Sequence, residues 1–123
     1  LLKMMAQRSH YAREWALFLQ EYPLVLCPFL PQPFFTPGRD TEGADGVREA
    51  LGSALWSYSM NYVGLPAGCL PTRLAPSGRG PRPINVQIIG QRWREDKIVE
   101  AMIAVEARLG TLATELWARM DQK

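Results

Sequence analysis

Pro83-Ile84-Asn85-Val86-Gln87-Ile88-Ile89-Gly90 is the stretch whose pattern decides the fold. Ile84, Val86 and Ile88 alternate with the polar Asn85 and Gln87, which is the period of a β-strand. A few residues on, Glu95 and Asp96 supply the carboxylates that a helix dipole favours in its first turn. Ile98, Met102, Val105, Leu109, Leu112 and Leu116 then return at spacings of three and four, interrupted by Gly110. A strand followed by one long helix, or by two joined at Gly110, places the chain in the α/β class.

Upstream the same alternation of elements continues. Asn61-Tyr62-Val63-Gly64-Leu65-Pro66-Ala67-Gly68-Cys69-Leu70-Pro71 begins where a helix should stop, and Ala67 to Leu70 reads as a short strand of small residues approached closely by another backbone. Before it, Leu51, Leu55, Tyr58 and Tyr62 lie at helical spacing, so a helix is expected from Val47 to Tyr62, with Asp45 favouring its N-terminus. Residues 28–46 hold too many prolines and glycines for long regular structure and are expected as a long ordered loop. Leu24-Val25-Leu26-Cys27, closed by Pro28, reads as a buried strand. Met4, Tyr11, Trp15, Phe18 and Leu19 mark an amphipathic helix from Leu2 to about Gln20.

At 123 residues the chain makes one domain at most, and it is long enough to bury a modest core. Hydrophobic residues at 47% and charged residues at 21% exclude a disordered tail, a fibre and a membrane-spanning bundle. A net charge of +2 does not select nucleic acid as a partner, and Arg73, Arg79, Arg82, Arg92 and Arg94 read as a solvated loop. Cys27 and Cys69 sit in apolar runs typical of buried, inert thiols rather than of a disulfide framework or a metal site. His10 is alone on a charged helix, so no metal site is expected and no cofactor is implied. Ser53, Ser57, Ser59 and Ser77 lack the glycine-flanked turn of a serine hydrolase, and Gly78-Arg79-Gly80 lacks the ending of a phosphate loop. No catalytic residue is assigned within the chain.

The ordered series of helix, EYPLVLCPFLPQP, Asn61-Tyr62-Val63-Gly64-Leu65-Pro66-Ala67, a strand carrying Pro83, Gln87 and Gly90, and an acid-headed helix resembles the C-terminal part of the amidase signature family of hydrolases. The resemblance covers about residues 10–109 and implies an α/β fold in which a few mixed strands are packed by amphipathic helices, residues 1–123 forming a single partial domain. It also implies a parent enzyme, cytoplasmic and without cofactor, that cleaves carboxamide C–N bonds to a carboxylate and ammonia or an amine. The family's serine, cis-serine and lysine triad would lie upstream of these residues; Lys3, Lys97 and Lys123 have no such neighbourhood. Leu1 in place of an initiating Met agrees with a piece of a longer chain.

By the same resemblance, Pro28, Phe29, Phe34, Phe35, Trp56, Tyr58 and Asn61 are the candidates for the acyl wall of the substrate cleft, although Trp56 and Tyr58 equally suit a helix core. Their aromatic character favours an apolar or aryl amide, because an unpaired charge is costly there. Gly64, Leu65 and Pro66 are expected to set backbone shape. Ala54 stands where the amidase-like component of the tRNA-dependent amidotransferases carries an Asp, which disfavours an aminoacyl-tRNA role; Ser57 replaces a frequent Thr, and Asn85 a Gly. The expected partners are the N-terminal part of the same amidase and a small-molecule amide, with no nucleic acid and no membrane. The alternative is a non-catalytic binding or assembly module that kept an amidase tail. A sheet edge and helix faces bared by the missing part should make the isolated chain self-associate into a dimer or higher oligomer. Light scattering that returns a monomer at high concentration would contradict this.

Overall fold

A computed structural model describes residues 2–30, 36–77 and 80–120. Its helices are α1 (Leu2–Glu21), α2 (Gly43–Ser53), α3 (Leu55–Val63), α4 (Glu95–Leu109) and α5 (Leu112–Met120), and its strands are β1 (Leu24–Pro28), β2 (Ala67–Ala75) and β3 (Arg82–Gly90). The strands form one antiparallel sheet in the order β1-β3-β2. The stretch that decides the α/β class is therefore the central strand, hydrogen-bonded on both edges.

Both faces of β3 are covered. On one face Ile89 and Cys27 pack with Met60 and Val63 of α3, while Trp15, Val25 and Leu65 close the margin. On the other, Ile88 and Leu70 pack with Ile98 of α4, flanked by Met102 and Val105. Leu19, Leu70 and Ile89 are the largest fully buried side chains. The alternation of Ile84, Val86 and Ile88 marks only one of these faces; the other is completed by Ile89 and by Gln87, which is just 3% exposed.

Several elements differ from the pattern expected of the sequence, each for a local reason. The helix expected from Val47 to Tyr62 begins at Gly43 and breaks at Ala54. Ser53 Oγ donates to the Glu49 carbonyl at 2.8 Å, beside Gly52, and such back-bonding bends a helix. A stripe counted across that break loses its face: Leu51, Leu55, Tyr58 and Tyr62 are exposed, and Ser53, Met60 and Val63 point inward. Asp45 does lie in the first turn, where it pairs with Arg48 at 2.7 Å. Gly46 is buried against the Arg39 carbonyl, which occupies the place a Cβ would need, so the 3-10 turn Arg39–Thr41 can press onto α2 only at a glycine.

β2 runs on to Ala75 instead of ending at Leu70, so Arg73 and Arg82 are strand residues of a hairpin rather than loop residues. Pro71 is tolerated because β2 is an edge strand, and an irregularity between Pro71 and Arg73 hides the alternation. β1 is not a buried strand: it lies at the other edge, and Leu26 is 65% exposed. What approaches the small residues of β2 is side chain, not backbone. A Cβ on Gly68 would collide with Met102 Sδ and stand 2.7 Å from Ile98 Cγ2, and one on Gly90 would stand 2.9 Å from Ile98 Cγ1. The two glycines are the seat of α4. The closing stripe turns Ile98 and Leu112 inward, with Met102, Val105 and Leu116 half-buried and the helices joined at Gly110, but Leu109, at the end of α4, is exposed. Gly68→Ala is expected to lower stability by about 1–3 kcal/mol through overpacking, and an unchanged urea midpoint would remove Gly68 from this role.

Candidate functional site

Where β1 ends, the chain turns out of the sheet through Pro28, Phe29 and Leu30. These residues, with Leu26, Cys27, Thr72, Ile84, Asn85 and Val86, line a hollow of about 400 Å³. Strand register builds it, since Pro28 stands opposite Val86 and Leu70 meets Val86 from the other side. Thr72 sits at the irregularity in β2, where its Oγ1 donates to the Ile84 carbonyl at 3.3 Å. Bulges commonly re-aim a side chain beside a binding site. The wall is apolar with two polar points, Thr72 and Asn85, which is the make-up of a small-molecule site that orients a flat apolar body.

Pro28 and Phe29 therefore line the hollow, whereas Phe34 and Phe35 lie outside the described residues. Trp56, Tyr58 and Asn61 are exposed on α3, Trp56 and Tyr58 each at 40%, and none of them lines the hollow; two positions apart on a helix, Trp56 and Tyr58 face different sides. The five described candidates do not form one cluster within the chain. Leu26, Leu30, Thr72, Ile84, Asn85 and Val86 join the lining without any signal in the sequence. Leu26 and Leu30 flank Pro28 along the chain, whereas only strand pairing, which no local sequence pattern discloses, brings Thr72, Ile84, Asn85 and Val86 beside it.

The backbone around Gly64 has the shape-setting part expected of it. Gly64 ends α3 with φ 73°, a left-handed conformation suited to glycine, and its N–H donates to the Met60 carbonyl at 2.8 Å. Arg92 donates from Nε to the Gly64 carbonyl at 2.9 Å and from Nη2 to the Val63 carbonyl at 2.6 Å, and Arg8 Nε donates to the Tyr62 carbonyl at 2.5 Å. Two guanidinium groups thus hold the negative end of the α3 dipole. Gln91 Nε2 adds a bond to the Leu19 carbonyl at 2.8 Å, tying the end of β3 to α1.

No nucleophile is poised at the hollow among the described residues. Ser53 and Ser57 spend their hydroxyls on helix carbonyls, Lys97 pairs with Glu100 at 2.8 Å, and His10 leans on the neighbouring Tyr11 ring. Among the described residues no three metal-ligating side chains come together. Burial pushes the Cys27 thiol up, opposed by the Gln87 amide that donates to its sulfur at 3.5 Å. Cys69, opposite the same Gln87 on β2, is an exposed residue rather than the buried thiol expected, yet partial desolvation of its sulfur, and then Cys27 itself, push its thiol up too. Both shifts favour the thiol over the thiolate.

Comparison with known proteins decides the affiliation. The Amidase family profile matches residues 1–99. The chain belongs to the amidase family. It is similar to an indoleacetamide hydrolase of Bradyrhizobium japonicum, 39% identical over 94% of this chain but only 24% of that protein. A second indoleacetamide hydrolase, from Bradyrhizobium diazoefficiens, is 38% identical over 94% of this chain and 22% of that protein. A solved structure of 6-aminohexanoate cyclic dimer hydrolase complexed with substrate shares the fold, with a TM-score of 0.65 at 24% identity over 88% of this chain and 24% of that chain. This amidase segment thus spans about a quarter of the length of the relatives it matches, corresponding to the C-terminal part of the amidase signature enzymes. None of its described helices is long and apolar enough to cross a membrane.

Because both thiol values are raised on folding, the stabilisation they bring is full below the ordinary thiol range, about 8.5, and is lost as pH rises through the folded values. Unfolding free energy is therefore expected to fall with rising pH in the alkaline range, and less steeply in a Cys27→Ala variant. Iodoacetamide should label Cys69 before Cys27, a sequence that peptide mass analysis reads directly. Equal labelling of both at neutral pH would contradict the burial of Cys27.

Proposed function

We propose that this segment supplies part of the sheet and one wall of the substrate cleft to an amidase that hydrolyses small carboxamides, arylacetamides first among them. The similarity to indoleacetamide hydrolase, extending over 94% of this chain, is the observation that carries this reading. The apolar hollow at the end of β1 supports it, since an aromatic acyl group can be buried there without stranding a charge. Ala54, which carries no side-chain charge, agrees with a substrate lacking an amino-acid ammonium group.

In the proposed reaction, water adds to the acyl carbon and the C–N bond breaks, giving a carboxylate and ammonia. The serine nucleophile, the cis-serine and the lysine that moves the protons come from the remainder of the enzyme, because a serine hydroxyl attacks an amide only with an adjacent base. The residues of this segment bind and orient. Pro28 and Phe29 take the ring side of the acyl group, and Phe34, Phe35, Trp56, Tyr58 and Asn61 belong to the wall once the remaining polypeptide closes over α3. That polypeptide, the N-terminal part of the same amidase, is the partner that the bare edge of β1 and the exposed apolar residues of α1 and α3 receive, and the cytoplasm is the proposed setting.

The test is reconstitution. The segment alone is expected to release no ammonia from phenylacetamide or indole-3-acetamide, and to do so at readily measured rates once joined to the N-terminal part. In the complete enzyme, Phe29→Ala should raise KM for arylacetamides by about tenfold, the value of losing one well-packed ring, and leave acetamide little affected. Failure of the joined enzyme to cleave any amide would favour the non-catalytic module instead.

A further inference from the structure

Where α3 ends at Gly64, a second cavity of about 420 Å³ is lined by Arg8, Gly64, Leu65, Pro66, Arg92, Trp93 and Glu95. The hollow at the end of β1 shares none of these residues. Arg8 Nη2 and Arg92 Nη2 each come within 3.1 Å of the place where a Cβ on Gly64 would stand, so two cations converge on one point. Like charges repel there, and among the described residues no ion pair involves either one. The α3 carbonyls take the Nε of Arg8 and the Nε and Nη2 of Arg92. A guanidinium carries five N–H donors, so each group keeps donors to offer. Arg94, by contrast, is committed to Asp96 in a two-point pair at 2.9 and 3.0 Å.

Trp93 stands on the rim of this cavity and is the one described non-glycine residue with positive φ, at 65°. Within this segment it is also 88% exposed. A bulky residue in the left-handed region is strained, and an indole left in water forgoes burial; both costs fall on the same side chain. The first turn of α4 opens beside it, with no side-chain cap from Arg94, and adds the positive end of a helix dipole. Glu95 is the opposing group on the rim and limits the excess of positive charge.

We infer that the Arg8–Arg92 pair and Trp93 form a ligand site, with no lining residue in common with the hollow at the end of β1, that binds a small aromatic carboxylate. The carboxylate accepts from the two guanidinium groups, and the ring lies on the Trp93 indole. The hollow at the end of β1 offers such a ligand no charged group from this chain, because its polar points are Thr72 and Asn85. An aryl carboxylate is also the product class of the proposed hydrolysis, so occupancy of this site would report product accumulation. The inference needs only the site's own residues, however, and stands or falls without catalysis.

Titration calorimetry on this chain, with phenylacetate as the probe, tests it. Acetate keeps the charge without the ring and phenylacetamide keeps the ring without the charge; each is expected to bind about tenfold more weakly or not at all. Arg8→Gln, which leaves the two Arg92 bonds to α3 in place, should weaken phenylacetate about fivefold to tenfold. Trp93→Gly should weaken it comparably while the thermal midpoint holds or rises, because glycine relieves the positive φ. Glu95→Gln should tighten it about twofold, and added salt should weaken it. Absence of phenylacetate binding, equal binding of acetate, or affinities unmoved by Arg8→Gln and Trp93→Gly each overturn the inference. So does loss of binding in Phe29→Ala in place of Trp93→Gly, which would assign the ligand to the hollow at the end of β1.

Discussion

A strand that is bonded along both edges and apolar on both faces must be enclosed from four directions, and β3 is that strand. Ile88 and Ile89 point to opposite sides of one backbone and are 3% and 0% exposed, so helices are required above and below. Almost every other feature answers that demand. α4 sits on Gly68 and Gly90 because no Cβ intervenes there, and α3 presents Met60 and Val63 to Cys27 and Ile89. Removing water from such surface contributes about 25 cal/mol per Å², and in a chain this short β3 is where that burial concentrates.

Enclosure of β3 also fixes what lies at the sheet's ends. At one end the strand register sets Pro28, Val86 and Leu70 side by side, and the irregularity at Thr72 opens the apolar hollow. At the other end, Gln91 and Arg92 leave β3 and fasten onto α1 and α3. The guanidinium groups that secure the α3 terminus are the same ones that remain partly unspent toward solvent. Structural and binding duties are thus drawn from different N–H groups of the same side chains, which the five-donor fork of arginine permits and a lysine could not match.

The sequence made legible the elements whose information is local. The alternation at Ile84, Val86 and Ile88, the stripe from Ile98 to Leu116, the stop at Gly64 and the break at Gly110 each rest on neighbours a few positions apart. Partner-dependent features were not legible in this way. The face of α3 could not be counted through the Ala54 break, where a serine bond to Glu49 redirects the helix. The length of β2 was hidden by Pro71 and the irregularity after it, and the edge position of β1 was hidden because its neighbour β3 lies about sixty residues away, as the Gln87–Cys27 contact shows. The candidate wall divides the same way: Pro28 and Phe29 were implied by the resemblance to the amidases, whereas Thr72 and Asn85 enter only through pairing. Resemblance to the amidases reached further than periodicity because a family pattern already carries the pairing within it.

The central position of β3 has a consequence for synthesis on the ribosome. The two outer strands emerge first, and each waits with its edge toward β3 unpaired until residues 82–90 have left the exit tunnel. Translation that stalls or terminates before Gly90 leaves two strands with nothing to join them. Such a nascent chain is a substrate for holding chaperones and proteases, and the interval during which the sheet is unprotected is set by the speed of elongation through the hairpin.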